Sequence, residues 1–215
     1  MKTALLLIDL QNDFCPGGSL GVQEGDQVVA PLNALARSVR AAGGMVIHTG
    51  DFHPPQTSHF DTWPVHCLVD TPGSDLHAAL DVQPADLLIR KGTDANDDAY
   101  SGFDGALGEP DAVPTGAAGE RPSGTVGPYG ATAVAAAAVE SGAPGLDEWL
   151  REQGVDAITV VGIATDHCVR ATVLDALDAG YEVTVLTDLV AGVDEAAAQA
   201  ALHEMEAAGA ILATS

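Results

Sequence analysis

The chain has 215 residues, enough for one domain of ordinary size, and 47% of them are hydrophobic, so a well-buried core can form. Its 31 acidic residues against 8 basic ones give a formal charge of -23, which repels nucleic-acid phosphates and anionic lipid and argues against both as partners. Three cysteines cannot complete a paired disulfide framework, and no apolar run reaches membrane-spanning length, so the expected compartment is a reducing cytoplasm.

The first apolar run, residues 4–8, is too short for a signal-peptide core and reads as a buried strand. Residues 28–42 follow with apolar side chains at helical spacing and stop at Gly43-Gly44, a natural helix terminator. Residues 45–49 form the second run and 87–89 the third. Residues 157–163 form the fourth, followed by a helical stretch over 166–179 closed by Gly180. Residues 183–186 are the fifth run, 194–208 a helix closed by Gly209, and 210–213 a last strand. Strands apolar throughout and separated by helices predict a parallel sheet covered on both faces. The expected fold is a three-layer α/β/α domain with a six-stranded, mostly parallel sheet, spanning residues 1–215.

Two stretches break the alternation. Residues 51–84 are rich in His, Pro and Asp without a clear period, and are expected to form a long surface excursion. Residues 105–145 are more than half Ala, Gly and Pro. Such a segment buries too little to offset its ordering entropy, which predicts a mobile insertion with a short helix around 133–140.

Ligands of open α/β sheets bind beyond the carboxyl ends of the strands. The first strand ends at Asp9, the second at Asp51-Phe52-His53, the third at Lys91 and the fourth shortly before Cys168. An acid, a metal-ligand pair, an internal lysine and a cysteine therefore converge on one edge. Cys168 stands at a helix start, where free N–H groups and a nearby Lys91 would lower a thiol pKa and favour the thiolate. The plainer reading makes Cys168 a small buried hydrophobe, Asp9 a turn cap and Lys91 a solvated ammonium. Their shared position favours a nucleophile, a general acid/base and a stabilising cation. Cys15 and Cys67 keep the plainer reading. Asp51 and His53 lie two apart, and His59 and His66 follow within the same stretch. One Asp and three His suit a divalent transition ion such as Zn, Fe or Mn, against the alternative of a polar loop that merely holds histidines. His48 is expected to be packed in its strand, and His167 to line the cleft.

Six segments carry a resemblance. They are residues 8–20 (IDLQNDFCPGGSL), Asp51-Phe52-His53 with His59-Phe60, Trp63 to Cys67 (WPVHC), Arg90-Lys91-Gly92, Tyr100 to Phe103 (YSGF) and residues 161–169 (VGIATDHCV). Together they resemble the nicotinamidases and pyrazinamidases among the isochorismatase-like cysteine hydrolases, from residue 4 to the C-terminus with 105–145 as an interruption. The resemblance implies a triad of Asp9, Lys91 and Cys168, and a metal held by Asp51, His53, His59 and His66. It implies a cis peptide between Ile163 and Ala164, with the N–H groups of Ala164 and Cys168 as an oxyanion hole. It also implies pocket walls made by Phe14, Leu20, Trp63, Tyr100 and Ile163. The activity implied is hydrolysis of nicotinamide, and of pyrazinamide, through a cysteine thioester, feeding NAD salvage. The expected partner is a small aromatic amide, with one divalent metal and no organic cofactor; a homo-oligomer stays open. Two rival readings stand beside it: another cysteine amidohydrolase acting on a carbamoyl or ureido compound, and a non-catalytic metal- or ligand-binding module on the same fold.

Overall fold

Strand β1 (Thr3–Ile8) is buried from its second residue to its last. Its side chains alternate between two apolar layers, as the period of two in a strand requires. Leu5 and Leu7 pack with Val29, Leu32 and Ala36 of helix α1 (Val29–Ala41) on one face of the sheet. Ala4, Leu6 and Ile8 face the opposite layer. There Leu146 and Leu150 of α2 (Leu146–Glu152), Val173 and Ala176 of α3 (Arg170–Asp178), and Ala201, Leu202 and Met205 of α4 (Glu195–Ala208) close the core. This is a computed structural model, and it describes residues 2–96, 100–108 and 143–215.

The sheet also contains β2 (Met45–Asp51), β3 (Leu87–Lys91), β4 (Ala106–Leu107), β5 (Ala157–Ile163), β6 (Glu182–Ala191) and β7 (Ile211–Ala213). The spatial order is β4-β3-β2-β1-β5-β6-β7. Every pairing is parallel except that of β4 with β3. The chain runs from β1 outward to β4, then returns to β5 on the other side of β1. That reversal opens a crevice at the carboxyl ends of β1 and β5, where a doubly wound sheet receives its ligand. Gly162 permits a close approach there: its φ is +113°, and a Cβ would lie 2.3 Å from the carbonyl oxygen of Ile8.

All six expected strands are present, and among the described residues the sheet has a seventh. The two-residue β4 lies at the start of the segment expected to be an insertion. Residues 105–108 and 143–145 belong to the fold instead. Ala106 bridges to Gly145, the Leu107 N–H donates to the Pro144 carbonyl (3.1 Å), and the Gly108 N–H donates to that of Leu88 (2.9 Å). The helix expected around 133–140 lies outside the described residues. A second correction concerns 51–84. This stretch is no mere surface excursion, because Phe52, His53, His59, His66, Cys67 and Leu76 within it are all buried. Among the described residues no helix is long and apolar enough to cross a membrane.

One charged cluster sits away from the crevice. Buried Asp86 receives Arg40 of α1 through Nε (2.8 Å) and Nη2 (2.5 Å), and the Gln83 N–H (2.9 Å). Buried His48 of β2 lies 3.4 Å away through Nε2, packed in its strand as expected. Burial pushes the Asp86 carboxyl up, but the hydrogen bonds from His48, Arg40 and Gln83 outweigh it and hold the group below its ordinary value.

Candidate active site

Asp9, fully buried, follows β1 in the left-handed region at φ +47°. A non-glycine residue stays there only when its surroundings hold it. Thr49 of β2 does so with one hydroxyl: it accepts the Asp9 N–H (3.2 Å) and donates to Asp9 Oδ1 (2.6 Å). Lys91 ends β3, and its Nζ lies 2.9 Å from Asp9 Oδ2, touches Asp51 Oδ1 and stands 3.6 Å from Cys168 Sγ. Cys168 lies in a π-helical turn (Thr165–Val169) that joins β5 to α3. Two strand ends and one turn thus bring together the sulfur, carboxyl and ammonium expected from the sequence.

Burial and the charges of the neighbours compete in their electrostatics. It raises the Asp9 carboxyl above its ordinary value against the pull of Lys91, and Asp51 adds to the rise. Asp51 is pushed up by burial too, but Lys91 and His53 outweigh that and keep it below its ordinary value. Burial would lower the Lys91 ammonium, yet Asp51 and Asp9 hold it well above its usual range. The Cys168 thiol departs from expectation. Burial raises it well above its ordinary value, Lys91 only partly offsets this, and Asp9 and Asp51 add to the rise. A helix start and a cation were visible in the sequence, whereas the desolvation that outweighs them was not. Cys15, pushed up to about 11 chiefly by burial, and Cys67, raised well above its ordinary value, are buried thiols of the plainer kind.

The histidines converge beside this group. Ligand-type nitrogens of His53, His59 and His66 lie within 4.8 Å of one another, and all three residues are buried. The His53 Nδ1–H donates to the Gly92 carbonyl (3.1 Å) and the His66 Nδ1–H to that of Pro64 (2.8 Å). Both hydrogen bonds leave Nε2 as the available donor atom, the arrangement that orients a metal-ligating imidazole. Among the described residues His53 Nε2 is buried without a hydrogen-bond partner, and it lies 3.7 Å from Asp51 Oδ2. Burial also keeps His66 below the ordinary histidine value, which favours the neutral form that ligates. This donor set fits a divalent cation. Gly92 makes the packing possible: at φ +65°, a Cβ there would lie 2.5 Å from the His53 ring. His59 is held by Thr57, whose hydroxyl accepts the His59 N–H (3.2 Å).

A cavity of about 270 Å³ opens between the two groups. Phe14, Leu20, Trp63, Tyr100 and Ile163 line it, as expected, and so does His167. Ala164 and Cys168 also line it, as do Asp51, His59 and His66. The Ile163–Ala164 peptide is cis. Trp63 Nε1–H donates to the Tyr100 hydroxyl (2.8 Å), and the Tyr100 and His167 rings stack at 6.3 Å.

The model of the isochorismatase domain matches residues 3–107 and 129–215. The chain belongs to the isochorismatase family. Within that family it is 38% identical to the nicotinamidase/pyrazinamidase of Mycobacterium tuberculosis over 214 residues, covering 95% of each chain. Among solved structures, the pyrazinamidase of Pyrococcus horikoshii in complex with zinc superposes with a TM-score of 0.78 at 31% identity, over 100% of both chains. PnC1 from L. infantum in complex with nicotinate gives 0.74 at 30% identity, covering 99% of this chain and 92% of that one.

Three supporting residues of this isochorismatase-family site escaped sequence reasoning. Thr49 is the first. The second is Gln11, fully buried, whose amide accepts the Asp51 N–H (2.8 Å) and donates to the carbonyls of Asp51 (2.7 Å) and Ser74 (2.8 Å). It pairs with both backbone groups of the last residue of β2 and so fixes Asp51. Asp13 is the third: its carboxylate accepts the Cys67 N–H (2.7 Å) and the Ser19 N–H (3.3 Å), tying the His66 loop to the loop that carries Leu20. Gln11 and Asp13 fall within the motif of residues 8–20, and Thr49 is a polar residue in an apolar strand, but none of these signals names the partner.

Proposed function

We propose that this chain is a nicotinamidase: it hydrolyses nicotinamide to nicotinate and ammonia, and pyrazinamide by the same route, supplying nicotinate for NAD salvage. One observation carries the reading. Cys168 Sγ, with Lys91 Nζ 3.6 Å away and carboxylate oxygens of Asp9 and Asp51 within 4.8 Å, shares a cavity with the three-histidine cluster, and Asp51 stands between the two.

Cys168 is the nucleophile, Asp9 the general base and acid, and Lys91 the cation that steadies both. Because the resting thiol is held protonated by burial, its proton passes to Asp9 as the sulfur attacks the carboxamide carbon. A carboxylate whose proton affinity is raised by its surroundings suits that transfer. Lys91 favours the sulfur anion as it forms. The tetrahedral oxyanion is stabilised by the N–H groups of Ala164 and Cys168. Asp9 returns the proton to the departing nitrogen, and ammonia leaves with the C–N bond broken. Asp9 then takes a proton from water as its oxygen attacks the thioester carbon. The C–S bond breaks, the proton goes back to sulfur, and the acid is released.

Asp51, His53, His59 and His66 would hold one divalent transition ion, zinc, iron or manganese, and this ion when bound supplies a Lewis-acidic anchor for the substrate's ring nitrogen. The aromatic walls Phe14, Trp63 and Tyr100, with Leu20 and Ile163, take the flat ring. Every step uses side chains, backbone N–H groups and water, so no organic cofactor is required.

The test is ammonia release by the purified, metal-analysed protein from nicotinamide, pyrazinamide and a panel of carbamoyl and ureido compounds. Turnover of the two aromatic amides supports the reading. Turnover of ureido compounds alone, or metal binding without hydrolysis of any amide, overturns it. The double substitution Asp51→Ala with His53→Ala is expected to abolish stoichiometric metal binding, and unchanged metal content would refute the ligand set.

A further inference from the structure

The segment that carries the Tyr100 wall and the turn that carries Cys168 belong to different parts of the chain, and one buried hydroxyl joins them. Thr172 lies in the first turn of α3 and is fully buried. Its Oγ1 accepts the Gly102 N–H (2.9 Å) and donates to the Cys168 carbonyl (2.7 Å). The hydroxyl proton and a lone pair are thus both committed, one to each segment. Such a bond from a threonine to the carbonyl four residues back perturbs regular helix, and here it falls where the π-helical turn gives way to α3.

The wall segment is stiff in its own right. The Ser101 hydroxyl accepts the Phe103 N–H (3.1 Å), and the Asp104 carboxylate accepts the Ser101 N–H (3.1 Å). Gly102 packs closely on the sheet: a Cβ there would sit 3.1 Å from the Thr49 methyl and 3.5 Å from that of Thr172. Tyr100 precedes this turn directly, and its ring stacks on His167, the neighbour of Cys168. Movement of the hydroxyl link would therefore change the distance between the ring wall and the sulfur.

We infer that Thr172 is a positioning residue for hydrolysis: its hydroxyl holds the Tyr100 wall and the Cys168 turn in one frame, so that a ring seated on the wall presents its carboxamide to the sulfur. The inference rests on the nicotinamidase reading. It concerns the aromatic substrate and not the intrinsic reactivity of the thiol, and that separates it from a merely structural role.

The experiment compares the metal-loaded wild type with Thr172→Val, Thr172→Ala and Thr172→Ser. Two quantities are read: kcat/KM for nicotinamide, and the rate of Cys168 alkylation by iodoacetamide, followed by peptide mass. Iodoacetamide is small and does not need the wall. Thr172→Val is expected to lower kcat/KM by about 10–100-fold, the scale of a misplacement of about 1 Å, with alkylation within about threefold of wild type. Thr172→Ser keeps the hydroxyl and is expected to recover most of the activity. Thr172→Ala removes the same hydroxyl without introducing a second methyl branch, and serves if the valine variant does not fold. Equal loss of hydrolysis and alkylation would show general damage to the turn and overturn the inference. Wild-type activity in both hydroxyl-free variants would overturn it as well, as would a serine variant as impaired as the alanine one. A wild type inert toward nicotinamide would instead refute the underlying reading.

Discussion

Two buried charge clusters in this molecule are built from similar parts and behave in opposite ways. Around Asp86, one carboxylate is met by the Arg40 fork, the Gln83 N–H and His48, and its pKa is pulled down. Around Lys91, two carboxylates share one ammonium beside a thiol, and the Asp9 pKa is pushed up. The balance at each carboxylate accounts for the difference: hydrogen bonds outweigh burial at Asp86, and Lys91 with His53 outweighs it at Asp51, whereas burial prevails at Asp9. Where hydrogen bonds prevail the charge is fixed and the cluster ties α1 to β2 and β3. Where burial prevails a proton can change hands, which suits catalysis.

The contrast breaks most severely at the sulfur. Cys168→Ala is expected to reduce ammonia release from nicotinamide by about 10⁴-fold or more while leaving metal content and melting temperature unchanged. Activity within tenfold of wild type would remove the sulfur from the chemistry. Lys91→Met comes next. It leaves Asp9 and Asp51 facing each other without a cation, and should cost about 3–5 kcal/mol of stability in urea titrations as well as activity. A variant as stable as wild type would mean that the ammonium is not what holds the carboxylates together.

Asp86→Asn probes the other cluster. It should cost about 1–3 kcal/mol and leave nicotinamide hydrolysis intact. Its pH dependence has a definite sign. The folded carboxyl titrates below its ordinary value of 3.8, so its stabilisation is complete above that value and is lost as pH falls through the lower, folded one. Wild type should therefore lose more stability than the variant on acidification below about pH 4, and parallel curves would contradict the assignment. Asp9 runs the other way: a carboxyl raised on folding favours the native state at low pH, and that contribution fades as pH rises through its folded value. The smallest effect belongs to Arg37, whose side chain is 60% exposed beside Asp81. Arg37→Ala should change stability by no more than about 0.5 kcal/mol, and a larger loss would extend the Asp86 network to the surface.

Much of this was legible in the chain because it depends on local pattern. Residues 4–8 are apolar without interruption and became the central strand; Gly43, Gly180 and Gly209 each follow a helix end. Asp9, Lys91 and Cys168 meet because each stands at or just beyond a strand end, and strand ends can be read from sequence. The two-residue β4 could not be read, since Ala106 and Leu107 pair only because the edge of β3 lies open beside them. Nor could α2, seven residues long, too short to display a period. Thr49, Gln11 and Thr172 act on partners 40 or 70 positions away, and a lone polar residue in an apolar stretch does not name its partner. The raised thiol belongs to the same class, because burial is a property of the finished fold.

The Gln11 side chain carries a consequence of its own. It meets one donor and two acceptors, so its oxygen and nitrogen are not interchangeable. A glutamate of identical shape would turn an anionic oxygen toward two carbonyls. A one-base change in the gene could then unseat the ion-binding side and the hydrolytic side of the pocket together, though it alters neither a ligand nor the nucleophile.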